Sequence, residues 1–241
     1  EEELDNERRE INPKNIHIHE SQTTTLAVKN LTLAYPRASK PGHMMRNLNL
    51  EFKPGENTLI KAPSGFGKST FFKAARRTWG YGTGEISIPQ HQKTYFLPQK
   101  PLIPHDTLKA ILAYPDPVST YVDDQYKAVL CAVGGKMEQF IAELDQEDAW
   151  STRLSLGQQQ RISFARALLK KPDWLFLDEA TASLDEESEA HLYRLLKEKL
   201  PHTTVISIAH RSTVMKFHQR VVSFEPSSEE IQQQSSLGRS I

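Results

Sequence analysis

The 241 residues carry 30 basic against 30 acidic side chains, so no net field draws the chain to nucleic acid or to an anionic membrane, and any partner must be recognised locally. Its length and 38% hydrophobic content suit one large α/β domain or two small ones with a full core. A single cysteine, Cys131, excludes an intramolecular disulfide framework, and no run approaches the roughly eighteen apolar residues of a membrane-spanning helix.

The chain begins at Glu1 without a methionine, and residues 1–10 are charged and lack a core pattern, so residues 1–24 are expected to be a linker cut from something longer. Residues 26–33 and 46–53 place apolar side chains at nearly alternating positions, the mark of half-exposed antiparallel strands, with Pro36, Pro41 and Gly42 between them. Tyr35, ending the first of these, is suited either to sheet packing or to stacking on a purine base.

The run Leu59-Ile60-Lys61-Ala62-Pro63-Ser64-Gly65-Phe66-Gly67-Lys68-Ser69-Thr70 reads as a short apolar strand, a small-residue loop and a helix start. Glycines 65 and 67 tolerate the dihedrals that turn several backbone N–H groups onto one anion, and the helix N-terminus adds its own. Lys68 can reach outer phosphates and Ser69 can offer a hydroxyl to magnesium, while Ala62 stands where a glycine usually opens this pattern.

A helix over 69–78 is expected, ended by the glycine-rich 79–84, then strands at 85–88 and 94–97. The second runs into Pro98-Gln99-Lys100-Pro101, a hinge from which Gln99 could reach a metal or a water, or simply face solvent. From about residue 102 to 156 short helical patterns at 107–112, 125–133 and 136–144 suggest an inserted helical subdomain. Ser155 can cap the helix that starts in Leu154-Ser155-Leu156-Gly157-Gln158, whose free N–H groups make a second anion site. Trp174-Leu175-Phe176-Leu177 has the unbroken apolarity of a parallel strand buried on both faces, and Asp178 and Glu179 follow at its carboxyl end, where open α/β sheets bind ligands. A helix with Leu192, Leu195, Leu196 and Leu200 on one face, a strand over 203–209 ending at His210, a strand at 221–224 and a mobile tail from 226 complete the expected order.

The series phosphate loop, Gln99, Leu154 to Gln158, Asp178-Glu179, Asp185 and His210 resembles the ATP-binding cassette family over about residues 26–224. The spacings agree: 55 residues from Gln99 to Leu154, 24 to Asp178 and 32 more to His210. The resemblance implies a P-loop NTPase (RecA-like) α/β core with a parallel sheet, an antiparallel β subdomain and an inserted α-helical subdomain, within a domain over 25–225. It implies that ATP is bound with Mg2+ and hydrolysed, and that two such domains pair head to tail around two ATP molecules.

Residue by residue it implies Tyr35 on adenine, Ala62 and Pro63 with Ser64 to Thr70 around the phosphates, and Ser69, Gln99 and Asp178 toward magnesium. Glu179 would polarise the attacking water, and His210 would contact the γ-phosphate. Ser155, Gly157 and Gln158 would act across the dimer, and Asp185 would link the two active sites. The phrases Phe96-Leu97-Pro98-Gln99 and Leu154-Ser155-Leu156-Gly157 look most like the peroxisomal acyl-CoA transporters and their bacterial relatives. Those carry a transmembrane part on the same chain, at the cytoplasmic face of a membrane, here a bacterial inner membrane. A DNA- or ribosome-associated cassette is disfavoured by the neutral charge and the single cassette. A clamp that binds ATP without hydrolysis is kept open by Ala62 and Leu156, where the family pattern has glycines.

Overall fold

The computed structural model describes residues 14–35, 43–61 and 67–224, which divide into two compact units. The first unit takes the described residues up to Lys53, then Ile60–Gln90 and those from Val221 on. The second takes Pro54–Leu59 and His91–Arg220.

In the first unit β1 (Lys14–Ser21), β2 (Leu26–Ala34) and β3 (His43–Phe52) precede β4 (Thr58–Lys61), which crosses the boundary, then α1 (Lys68–Ala75) and β5 (Gly82–Pro89). A four-stranded sheet runs β1-β5-β2-β3, antiparallel at β2-β3 as expected and also at β5-β2, but parallel at β1-β5. Strand β1 lies inside the stretch expected to be linker. Only Ile16 and Ile18 of its apolar residues are even half-buried, so backbone pairing along β5 holds it and leaves little side-chain pattern to read. Strand β5 also starts earlier than expected, because Gly82 and Gly84 approach β2 too closely for a side chain. A Cβ would lie 2.1 Å from the Thr32 carbonyl oxygen at Gly82 and 2.6 Å from that of Asn30 at Gly84. The unit's core is Leu31, Leu33, Phe52, Ile60 and Phe71, all fully buried, with the Phe71 ring 6.4 Å from Phe52 and 6.3 Å from Phe224.

The second unit continues with β6 (Thr94–Leu97), β7 (Asp106–Thr107), α2 (Leu108–Ala113), α3 (Asp123–Ala132), β8 (Glu147–Asp148), α4 (Trp150–Arg153), α5 (Leu156–Lys170), β9 (Trp174–Asp178), α6 (Glu186–Lys199) and β10 (Thr204–Ile208). With β11 (Arg220–Ser223) the second sheet has the order β11-β4-β10-β9-β6. Strand β9 is parallel to both neighbours, and residues 174–177 are buried on both faces, as their unbroken apolarity requires. The expected helical insertion appears as α2, α3, α4 and a 3-10 segment, Met137–Glu143. It buries Leu108, Ile111, Tyr126, Met137 and Trp150 in one apolar cluster, with the Phe140 ring edge-on to Trp150 at 5.6 Å and the indole N–H donating to the Gln146 carbonyl at 3.2 Å. Arg166 of α5, almost fully buried, ties in the insertion by donating to the Ile111 carbonyl at 2.7 Å and the Leu102 carbonyl at 2.9 Å.

No helix among the described residues is long and apolar enough to cross a membrane. The parallel sheet, the antiparallel sheet and the helical insertion together match the α/β class read from the sequence.

Candidate functional site

In the first unit the candidate residues lie at the start of α1. Ala62, Pro63, Ser64, Gly65 and Phe66 lie outside the described residues, so the loop is followed from Gly67 onward. Gly67 caps α1 with φ 81° and ψ 12°, a left-handed conformation, and its carbonyl accepts the Phe71 N–H at 2.8 Å. No acidic residue occupies the first turn, so the positive end of the helix dipole is not neutralised from within. Lys68, Ser69 and Thr70 follow at once, with Lys68 only 6% exposed. Tyr35 stands at the end of β2, half-buried.

The second unit gathers Gln99, Asp178, Glu179 and His210 at the carboxyl ends of its parallel strands. Strand β9 carries Asp178, half-buried, and the chain then breaks sharply: Glu179 takes φ 49° while its N–H donates to the Ile208 carbonyl at 2.9 Å. The carboxylate is held at both oxygens, 2.7 Å from His210 Nε2 at Oε1 and 3.3 Å from Gln99 Nε2 at Oε2. A carboxylate only accepts, so His210 presents Nε2 protonated. The Glu179 side chain is 21% exposed and that of His210 51%, which puts the acid at the mouth of the strand ends and the imidazole on its solvent side. Among the described residues no three His, Cys, Asp or Glu side chains make a protein-only metal site.

Around Ser155 the structure modifies one expectation. Ser155 caps α5 as its type foretells, but it does so in a closed box: its Oγ accepts the Gln158 N–H at 3.2 Å while Gln158 Oε1 accepts the Ser155 N–H at 3.0 Å. The Gln158 amide N–H and side-chain oxygen, expected to face another molecule, are thus engaged within the chain. The Ser155 hydroxyl keeps its own hydrogen for donation. Gly157 packs against the loop after Glu179, where a Cβ would meet Leu184 Cδ2 at 3.0 Å. Leu156 is 58% exposed. Asp185 caps α6, accepting the Ser188 N–H at 2.7 Å, and the bonds from the Ser188 backbone and side chain hold its carboxyl below the usual range.

Several side chains near Glu179 carry no obvious sequence signal. Glu189, 3% exposed, accepts from Thr181 Oγ1 at 2.5 Å and Thr213 Oγ1 at 3.3 Å. Arg211 lies 3.7 Å from the same carboxylate and donates to the Leu184 carbonyl at 2.6 Å. These bonds fasten the loop after Glu179 to the loop after His210. The one available hint is that Glu189 lies three residues before Leu192, on the apolar face of α6, where a lone acid must find partners. Gln160, buried on α5, falls in the same class.

A family model described as ABC transporter matches residues 45–182. The chain is 40% identical over 206 residues to an uncharacterized ABC transporter ATP-binding protein of Haemophilus influenzae, covering 85% of this chain and 33% of that protein. It is 38% identical over 173 residues to the inner membrane ABC transporter ATP-binding protein YddA of Escherichia coli, with 71% and 30% covered. Similarity extends to the lysosomal cobalamin transporter ABCD4 of Homo sapiens, 31% identical over 215 residues, with 84% and 35% covered. In fold it is similar to a bacterial Atm1-family ABC exporter solved with ATP bound, with a TM-score of 0.71 at 24% identity over 88% of this chain and 40% of that one. The chain spans about a third of the length of these curated relatives.

Proposed function

Since this chain belongs to the ABC transporter family, as an ATP-binding domain, we propose that it hydrolyses Mg2+-bound ATP with Glu179 as the group that polarises the attacking water. The observation that carries this is the doubly held carboxylate at the end of β9, with His210 on one oxygen and Gln99 on the other. Phosphoryl transfer asks the protein for positioning and charge neutralisation rather than covalent chemistry. A base fixed at both oxygens is aimed before substrate arrives, and its acceptor capacity is enough to orient one water.

Each remaining residue has a role suited to its type. Tyr35 stacks on the base; Ala62, Pro63, Ser64, Gly65, Phe66 and Gly67 offer backbone to the phosphates, and Lys68, Ser69 and Thr70 follow at the dipole end of α1. Ser69, Gln99 and Asp178 supply oxygen ligands or second contacts to magnesium, which neutralises charge on the phosphate oxygens when bound. The fit is supported by the acid-free first turn of α1 and by the side-chain oxygens of Ser69, Gln99 and Asp178, the donor type that Mg2+ takes alongside phosphate and water. His210, the more exposed of the pair, contacts the γ-phosphate from its place beside Glu179.

The partners follow from the same family. A second copy contributes Ser155 and Gly157 to the ATP held by the first, with Gln158 serving chiefly to hold Ser155 in its box, and Asp185 lies near the junction. A transmembrane part on the same polypeptide places the domain at the cytoplasmic face of a membrane and couples hydrolysis to transport. The inner-membrane wording of the YddA name and the exporter fold support this.

The test is Glu179→Gln, which keeps shape and removes the charge. Phosphate release is expected to fall by about 10²- to 10³-fold, equivalent to about 3–4 kcal/mol, while ATP binding is retained. Release at near wild-type rate would remove Glu179 from the chemistry.

A further inference from the structure

Helix α5 begins at the Ser155 box, and five residues on, little more than one turn, the inward amide of Gln160 faces neither the helix nor solvent. Gln160 is 1% exposed and uses both ends of its side chain. Nε2 donates to the Gln99 carbonyl at 3.0 Å, and Oε1 accepts the Ser183 N–H at 3.0 Å. Because a carbonyl can only accept and an amide N–H can only donate, this pair of partners fixes the orientation of the side chain. Among the described residues its neighbour Gln159 bonds locally, donating to the Ser151 carbonyl at 2.8 Å and the Leu154 carbonyl at 3.1 Å.

Both segments that Gln160 grips end on Glu179. Gln99 reaches the Glu179 carboxylate with its own amide at 3.3 Å, and it sits in a hinge whose prolines, Pro98 and Pro101, have no N–H to offer. A donor on the Gln99 carbonyl therefore fixes the point from which the Gln99 side chain starts. Ser183 lies in the loop that runs from Glu179 to the Asp185 cap, and its carbonyl oxygen would be 3.4 Å from a Cβ on Gly157. We propose that Gln160 is a positioning residue for hydrolysis: by joining the Gln99 carbonyl to the Ser183 amide it holds both flanks of Glu179 in register with helix α5. It touches no reacting atom and acts through Gln99 and the 181–185 loop. The proposal rests on Glu179 being the group that polarises water.

A double-mutant cycle in ATP hydrolysis tests it, using the whole chain with Gln160→Leu, Gln99→Ala and their combination, and Glu179→Gln as reference. Gln160→Leu is expected to lower kcat by about 10- to 100-fold, as displacement of a catalytic group by about 1 Å does, with KM and ATP affinity changed by less than about 2-fold. In the Gln99→Ala background the same substitution is expected to cost clearly less than in wild type, the remainder being the share carried through the 181–185 loop. Gln160→Met, which keeps length and packing without either hydrogen bond, carries the same expectations where the leucine variant does not fold. A kcat within about 2-fold of wild type in the folded variant, or an undiminished loss in the Gln99→Ala background, would overturn the role of Gln160. Normal turnover by Glu179→Gln would instead overturn the assignment of Glu179 itself.

Discussion

Glu179 holds its backbone at φ 49°, where a residue with a Cβ is strained by about 1–2 kcal/mol, and the Ile208 carbonyl on its N–H keeps it there. Such a conformation turns the side chain out of the strand line and toward Gln99 and His210. Glu179→Gly and Glu179→Ala should both abolish hydrolysis, but the glycine variant is expected to be more stable in urea unfolding by about 1 kcal/mol. Equal stabilities would show that the turn carries no strain. The position of this acid is legible in the sequence because an unbroken apolar run ends in Asp178-Glu179, and a carboxylate there has nowhere to go but the strand mouth. Its partners are legible only in part. Gln99 shows itself through the flanking prolines, whereas Gln158, Gln159 and Gln160 are three identical residues in a row whose directions depend on helix phase and on loops far away in sequence.

Strand β10 and helix α6 are readable as elements, since β10 is a nearly continuous apolar run and α6 has leucines at helical spacing, but the bonds that join them are not. Tyr193 of α6, fully surrounded, donates to Ser207 of β10 at 3.1 Å, and Ser207 meets His218 Nε2 at 2.8 Å. His218 Nδ1 lies 2.8 Å from the Val214 carbonyl, which only accepts, so Nδ1 carries the proton and the neutral ring takes the Ser207 hydroxyl at Nε2. Burial pushes the His218 pKa below its ordinary value of 6.5. The unfolded chain therefore binds a proton that the fold resists, and the stability present above that ordinary value is lost as pH falls through the folded one. Between about pH 7.5 and 5.5 the melting temperature of wild type is expected to drop more than that of His218→Gln, which cannot charge. Parallel curves would mean His218 titrates alike in both states. Strand β1 is the longest element that the sequence does not disclose, because an edge strand held by backbone bonds shows only two half-buried isoleucines.

At the scale of the whole molecule the neutral charge balance leaves self-association to local fit, and the chain offers two helix starts suited to phosphate: α1 after Gly67 and α5 after Ser155. One is expected to hold an ATP and the other to close on the ATP of a second copy, with cleavage letting the two part. The family and the fold class were legible because their motifs are short, chemically specific and correctly spaced. The most direct measurement is the mass of the Glu179→Gln variant by sedimentation in Mg2+ and ATP, with the bound nucleotide identified afterwards. The expected result is a two-copy complex containing intact ATP, which reverts to single copies in ADP. Single copies at every ATP concentration, or a complex found to hold ADP, would contradict the account.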